Sequence, residues 1–148
     1  VLHGVSMGAA TVLMASGEDL PENVKAVIAD CGYTSEWDEF QREADALHIP
    51  WFPVLNATSV LSKIRDGYDF KQASALAQVK KSHIPTLFIH GSSDELVPYS
   101  MLGELYAAAA CEKEELTVEG AGHALSSSVA PTLYWRTVED FIAKYLDR

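Results

Sequence analysis

The chain has 148 residues, 48 % hydrophobic and 22 % charged, which is the length and composition of one globular domain. Its 21 acidic residues outnumber 11 basic ones, leaving a net charge of −10, so no nucleic acid is expected as partner: proteins that bind a phosphate backbone concentrate Lys and Arg. No apolar run reaches the length of about 20 residues that a membrane span needs. Cys31 and Cys111 lack paired spacing and clustered His, so neither a disulfide framework nor a metal site is expected.

The first residues are Val1-Leu2-His3-Gly4-Val5-Ser6-Met7-Gly8, in which Gly4 to Gly8 spells G-x-S-x-G. Val1 is not an initiator methionine, and the apolar stretch before the motif is shorter than a strand of about five or six residues. The sequence therefore reads as cut inside or just before a strand, with any signal peptide out of sight; the cytoplasm is the favoured but open localisation. A serine that attacks a carbonyl needs an exposed hydroxyl, a base and donors for the oxyanion. A sharp strand-to-helix turn exposes the hydroxyl of Ser6 and aims the amide of Met7 at the oxyanion, and glycines on either side remove side chains that would collide with neighbouring backbone. Alone the motif is common, and Ser6 could equally cap a helix.

The residues from Ser6 to Ala15 are small and apolar without proline, a helix packed tightly on a sheet and ended by Gly17 and Pro21. Val24 to Ala29, stopping at Asp30, and Thr86 to His90, stopping at Gly91, read as buried strands. Glu115 to Glu119 alternates polar with apolar residues and suits a sheet edge. Between these last two strands Pro98 opens a helix with Met101, Leu102, Leu105, Tyr106 and Ala109 on one face. After Pro131, Tyr134, Val138, Phe141, Ile142 and Tyr145 make a second amphipathic stripe, with Lys144 and Arg148 near the negative end of its dipole. Strand and helix alternate as in a parallel α/β sheet flanked by helices.

Residues 34–82 interrupt this alternation and are too many for a simple crossover. After Thr34-Ser35, Trp37, Phe40, Ala44 and Leu47 form one helical stripe; Ile49-Pro50-Trp51-Phe52-Pro53 interrupts it. Leu55, Leu61 and Ile64 predict a second helix closed by Gly67. The segment reads as an inserted helical cap. Its aromatic residues either line an acyl or aryl pocket or glue the cap to the body.

Ligands of open parallel sheets gather at the carboxyl ends of strands. The polar residues there are Ser6, Asp30, the loop from Gly91 to Pro98, and the loop Gly120-Ala121-Gly122-His123-Ala124. A serine needs a base that titrates near neutrality, which His alone supplies unperturbed. His123 lies in such a loop between small residues, whereas His3, His48, His83 and His90 sit where a structural or solvated role suffices. The imidazole needs a carboxylate on its other nitrogen. Asp94 is the candidate, with Asp30 its rival and Glu95 and Glu119 behind; a bland alternative for Asp94 is an Asx-turn or cap.

Nucleophile, acid and histidine in the order Ser6, Asp94, His123 resemble the α/β-hydrolase fold family. Gly4-Val5-Ser6-Met7-Gly8-Ala9 is similar to its nucleophile elbow, Ile84 to Pro98 to its acid-bearing segment, and Glu119 to Ala124 to its histidine loop. The segments Ala29 to Ser35 and Gly67 to Phe70 resemble serine esterases, lipases and acyl peptidases of the S9 and S33 type. The resemblance implies a larger central sheet, of which this chain is the C-terminal half, and a second oxyanion donor from a loop preceding Val1.

The resulting expectation is a partial α/β-hydrolase domain over 1–148, with the elbow, its helix and the next strand in 1–33, the cap-like insertion in 34–82, and the acid and histidine loops with the last helix in 83–148. Its function is expected to be cleavage of a small-molecule carboxylic ester, or a thioester or amide, through an acyl-enzyme, without cofactor. The alternatives are a non-catalytic ligand- or partner-binding relative and an inactive fragment. A strand edge left open beside the elbow would promote self-association.

Overall fold

The computed structural model describes residues 1–146; Arg148, expected to close the last helix, lies outside them. Four strands, β1 (Leu2–Val5), β2 (Val27–Asp30), β3 (Thr86–Gly91) and β4 (Lys113–Val118), form one parallel sheet in the order β1-β2-β3-β4. Among the described residues seven helices accompany them: α1 (Met7–Ser16), α2 (Glu36–Ala46), α3 (Trp51–Asp66), α4 (Ala75–Val79), α5 (Ser100–Ala108), α6 (Ser126–Val129) and α7 (Pro131–Leu146).

The two central strands are buried throughout, and their alternate residues serve two cores. Val27, Ala29 and Phe88 pack against Ala9 and Leu13 of α1, Ala75 and Val79 of α4, and Leu102 and Leu105 of α5. Ile28, Leu87 and Ile89 point the other way, onto Tyr134, Val138 and Phe141 of α7. Truncating a fully buried aromatic such as Phe141 to Ala costs about 3–5 kcal/mol in a core of this kind. Small residues let α1 lie close to the sheet; even a Cβ on Gly32 would come within 3.2 Å of Ala9 Cβ.

Two strand starts differ from the sequence expectation. β2 starts at Val27 rather than Val24, because the Val24 N–H is committed to the Pro21 carbonyl in a turn. β4 starts at Lys113, whose backbone pairs with Thr86 while its ammonium caps the carbonyls of Tyr106 and Ala109 at the end of α5. Its one-sided pairing is that of an edge strand, which the alternation anticipated.

The long segment before β3 leaves and returns through a small stitch. Glu36 N–H donates to Ala73 O, Leu76 N–H donates to Thr34 O, and Ser35 bridges Ser74 in antiparallel fashion. The expected stretch 34–82 therefore divides: α4 joins the body core through Ala75 and Val79, and the helices that stand apart are α2 and α3. Ser35 caps α2 by accepting from Asp38 N–H. The proline-rich stretch does not separate the helices as far as expected, because Pro50 sits at the cap of α3 and Trp51 to Pro53 make its first turn, where a missing N–H costs nothing. Gly67 closes α3 with φ 72°. Of the apolar residues that predict this helix, Leu55 is buried, while Leu61 and Ile64 face solvent.

Candidate active site

Ser6 follows the last residue of β1 and precedes the first of α1, with φ 56° and ψ −119°. A side chain rarely adopts this backbone geometry, and holding it costs about 1–3 kcal/mol, supplied by the surrounding fold. Gly4 makes the turn possible: a Cβ there would lie 2.1 Å from Gly8 O. The expectation for Gly8 is corrected, since a Cβ at that position would meet nothing within 4 Å. Met7 N–H lies ahead of the helical ladder, whose first bond runs from Ala10 N–H to Ser6 O.

β1 and β4 occupy opposite edges of the sheet, so a histidine after β4 reaches a serine after β1 only by crossing the strand ends between them. The loop that crosses is held from below. Ser93 N–H donates to Ala121 O and Gly120 N–H to Ser92 Oγ. Gly91 lets the two loops touch, because a Cβ there would be 2.2 Å from Ala121 O. Gly120 and Ala124, both at positive φ, turn the chain on either side of the histidine.

The crossing brings together all three residues singled out in the sequence. His123 Nε2 lies 2.7 Å from Ser6 Oγ, and His123 Nδ1 lies 2.8 Å from Asp94 Oδ2. The imidazole remains 19 % exposed, whereas the Asp94 carboxylate is fully enclosed. Asp94 also performs the turn role weighed against its functional one: Oδ1 accepts the N–H groups of Leu96 and Val97 at 3.0 and 2.9 Å. One oxygen thus anchors the loop and the other meets the histidine.

The rival Asp30 faces elsewhere, accepting from Ser126 Oγ at 3.1 Å and from the Tyr134 hydroxyl. Burial pushes its pKa up, and these bonds together with the nearby His90 and His3 pull it partly back. Glu95 and Glu119 are exposed. His3 contacts the Tyr134 hydroxyl at 2.9 Å, and burial lowers its pKa.

Two neighbours of the site escaped the sequence reading. His90 Nε2 bonds to Val97 O at 3.0 Å and lies 3.3 Å from Asp94 Oδ2, so a second imidazole packs against the carboxylate and braces its loop; its place four residues before Asp94 was the available signal. Cys31, at φ 49°, tucks its thiol under the site, and the donor atoms of Cys31, Asp94 and His123 lie within 4.8 Å of one another. Such ligand types can hold zinc. Here the His123 nitrogen facing Asp94 is already paired, and burial, reinforced by the charge of Asp30, pushes the thiol pKa up to about 12. As arranged, the group suits the movement of a proton better than the grip of a cation.

Helix α2 borders this end of the sheet. Burial raises the pKa of Glu39, which Arg42 opposes, and the field of His123 reaches the same carboxylate. A hollow of about 470 Å³ lies instead at the amino ends of the strands, among Ser16, Glu18, Pro21, Lys81 and His83, and touches none of the three site residues.

The model of the prolyl oligopeptidase family matches residues 1–148. YqkD, an uncharacterised protein of Bacillus subtilis, is 31 % identical over 142 residues, covering 95 % of this chain and 47 % of that protein. The alpha/beta hydrolase domain-containing protein WAV2 of Arabidopsis thaliana is 30 % identical over 152 residues, covering 98 % and 47 %. Among solved structures, the esterase domain of a Rhodothermus marinus protein superposes with a TM-score of 0.67 at 21 % identity, covering 97 % of this chain and 59 % of that one. The chain spans less than half the length of the curated relatives it matches. The fold is that of the α/β-hydrolases: a parallel sheet flanked by helices.

Proposed function

The chain belongs to the prolyl oligopeptidase family, and from that premise we propose that it carries the Ser-His-Asp triad of a serine hydrolase that works through an acyl-enzyme. The observation that carries this reading is the unbroken run from Ser6 Oγ through both nitrogens of His123 to Asp94, mounted on a strained turn. Ser6 attacks the carbonyl of a small-molecule substrate as His123 Nε2 takes its proton. Asp94 holds the imidazole in the Nδ1–H tautomer and stabilises the imidazolium. Met7 N–H donates to the oxyanion. His123 then returns the proton to the leaving group, and water, activated by the same base, releases the acid.

A carboxylic ester is the proposed substrate, with a thioester or amide as the second reading. The likeness to the Rhodothermus esterase domain favours the first; membership of an oligopeptidase family favours the second. Helices α2 and α3 are proposed to serve as a cap over the acyl group. The outer edge of β1 is proposed as a surface through which chains associate.

A fluorophosphonate probe followed by peptide mapping tests the triad. Labelling of Ser6 in the wild-type chain and none in Ser6→Ala supports it; an unlabelled wild type, or undiminished labelling of Ser6→Ala, overturns it. Labelling is followed over hours, so that slow reaction is also read. Parallel panels of p-nitrophenyl esters and acyl anilides of increasing chain length then separate ester from amide cleavage.

A further inference from the structure

Asp30 is a buried carboxylate that the proposed reaction does not use, and it touches both halves of the site. Its backbone carbonyl accepts the N–H of Ser6 at 2.8 Å, and its side chain accepts from Ser126 Oγ at 3.1 Å. Ser126 begins α6, three residues beyond His123, and is fully buried. The Tyr134 hydroxyl bonds to the same carboxylate and meets His3 Nε2 at 2.9 Å. With Asp30 ionised, Tyr134 donates to it and accepts from His3, so β1, β2, α6 and α7 are joined in one polar chain.

We propose that Asp30 is a positioning residue: a clamp that sets the separation of Ser6 and His123 by holding the serine's backbone with its carbonyl and the histidine loop with its carboxylate. This rests on the triad reading above. The need for a clamp follows from topology. Ser6 is carried by one edge strand and His123 by a loop from the other, and the residues of β2 lie between. Val5 stands opposite Asp30 in register, which places the Asp30 backbone directly beside the turn while its carboxylate reaches α6. An enclosed carboxylate is costly unless its lone pairs find donors; here Ser126 and Tyr134 supply them, and each donor belongs to the segment that carries or follows the histidine. A misplacement of about 1 Å between reacting groups costs up to 10²-fold in rate, so a loosened α6 shows in the chemistry before it shows in the fold.

The test is the fluorophosphonate labelling rate of Ser6 in the 148-residue chain, measured well below the melting temperature, for Ser126→Ala, Asp30→Ala and Asp30→Asn. The NMR signal of the His123 Nδ1 proton provides a second readout. Ser126→Ala and Asp30→Ala are expected to label about ten- to a hundredfold more slowly at saturating probe, with little change in the half-saturating concentration, and with the Nδ1 proton broadened. Asp30→Asn keeps an acceptor for Ser126 and is expected to stay within about fivefold of wild type, the cost of one altered neutral hydrogen bond. Wild-type rates in folded Ser126→Ala and Asp30→Ala overturn the clamp. So does an Asp30→Asn loss as deep as that of Asp94→Asn, which would make Asp30 the acid. If Asp30→Ala does not fold, Ser126→Ala and Asp30→Asn decide. A wild type that never labels defeats the triad reading itself, a different result from equal labelling in all variants.

Discussion

His123 Nε2 stands 2.7 Å from Ser6 Oγ across 117 residues of chain. Neither residue reaches the other by local structure. The contact requires an edge strand to present Ser6 at a strained turn, two glycine-permitted close approaches, and a loop that crosses two strand ends. Each requirement can be broken separately, and the expected consequences differ.

Strain at Ser6 is the first. With φ at 56°, any side chain at this position is held against its preference, whereas glycine is at ease there. Ser6→Gly and Ser6→Ala should both abolish phosphonate labelling. Calorimetry should find Ser6→Gly the more stable of the two by about 1 kcal/mol, the relieved strain less the added chain entropy. Equal stabilities would mean that the turn stores no strain.

The two glycines of the elbow should behave oppositely. Gly4→Ala drives a methyl into the Gly8 carbonyl, a backbone atom that cannot rotate away. Overpacking of this kind costs about 1–3 kcal/mol or more, and labelling should fall with it. Gly8→Ala meets open space and lies in α1, where Ala is the better helix former by about 1 kcal/mol. Thermal melts that rank the two variants the other way would refute this account of the turn.

Asp94 does two jobs with two oxygens, so two substitutions separate them. Asp94→Asn keeps an acceptor for the Leu96 and Val97 amides but presents N–H to His123 Nδ1, which selects the wrong tautomer. Turnover or labelling should drop by about 10⁴ with little change in melting temperature. Asp94→Ala should lose the turn as well, costing about 1–3 kcal/mol of stability. A mild effect of Asp94→Asn on rate would remove Asp94 from the triad.

How much of this was legible beforehand follows from which forces are local. Strand ends, helix caps and the residues that follow them are written in short patterns, so Ser6, Asp94 and His123 could be named from position and residue type. The stitch at Ser35 and Ser74 could not, because it joins backbone groups across a long excursion and leaves no compositional trace. For the same reason residues 75–79 read in sequence as part of the insertion 34–82, although Ala75 and Val79 belong to the core under α1. Leu61 and Ile64 have helical spacing, yet spacing says nothing about whether a partner lies opposite. Cys31 at positive φ was equally invisible, since a non-glycine residue in that region is a product of tertiary context.

In the cap-like helices, Trp37 and Phe52 have different surroundings. Trp37 meets Trp51 edge-on with centroids 6.5 Å apart and carries the Lys71 ammonium over its face at 4.5 Å. Phe52 is 71 % exposed. Trp37→Ala should separate α2 from α3 and lower stability, by about 0.5–1.5 kcal/mol for the ring pair beyond the area lost. Phe52→Ala should leave stability within about 0.5 kcal/mol and, if α3 borders the acyl group, change the preference among ester chain lengths. A Phe52→Ala chain-length profile identical to wild type would exclude that ring from substrate contact.

The thiol of Cys31 lies close to Asp94 and His123. Cys31 is fully buried, and burial together with the charges of Asp30 and Asp94 pushes its pKa up to about 12, although the amides of Ala124 and Ser6 pull it back. Only the thiolate reacts readily, so at pH 8 Cys31 should resist a disulfide reagent that modifies the half-buried Cys111. The same shift fixes the sign of alkaline stability. Below the ordinary thiol value of 9.0 both the folded and unfolded chains keep the proton, and the thiol contributes no pH dependence. Above it the unfolded chain releases a proton that the folded chain retains, so stability falls as pH rises from 9 toward 12. Tyr33, raised from 10.0 to about 12 chiefly by burial, and Tyr134, raised further by burial and by Asp30, act in the same direction at higher pH. Melting temperatures should therefore decline through this range, and less steeply in Cys31→Ala. Modification of Cys31 as fast as Cys111 in the folded chain at pH 8 would show that the thiol is not enclosed, and an unchanged alkaline slope in Cys31→Ala would show that it does not drive the decline.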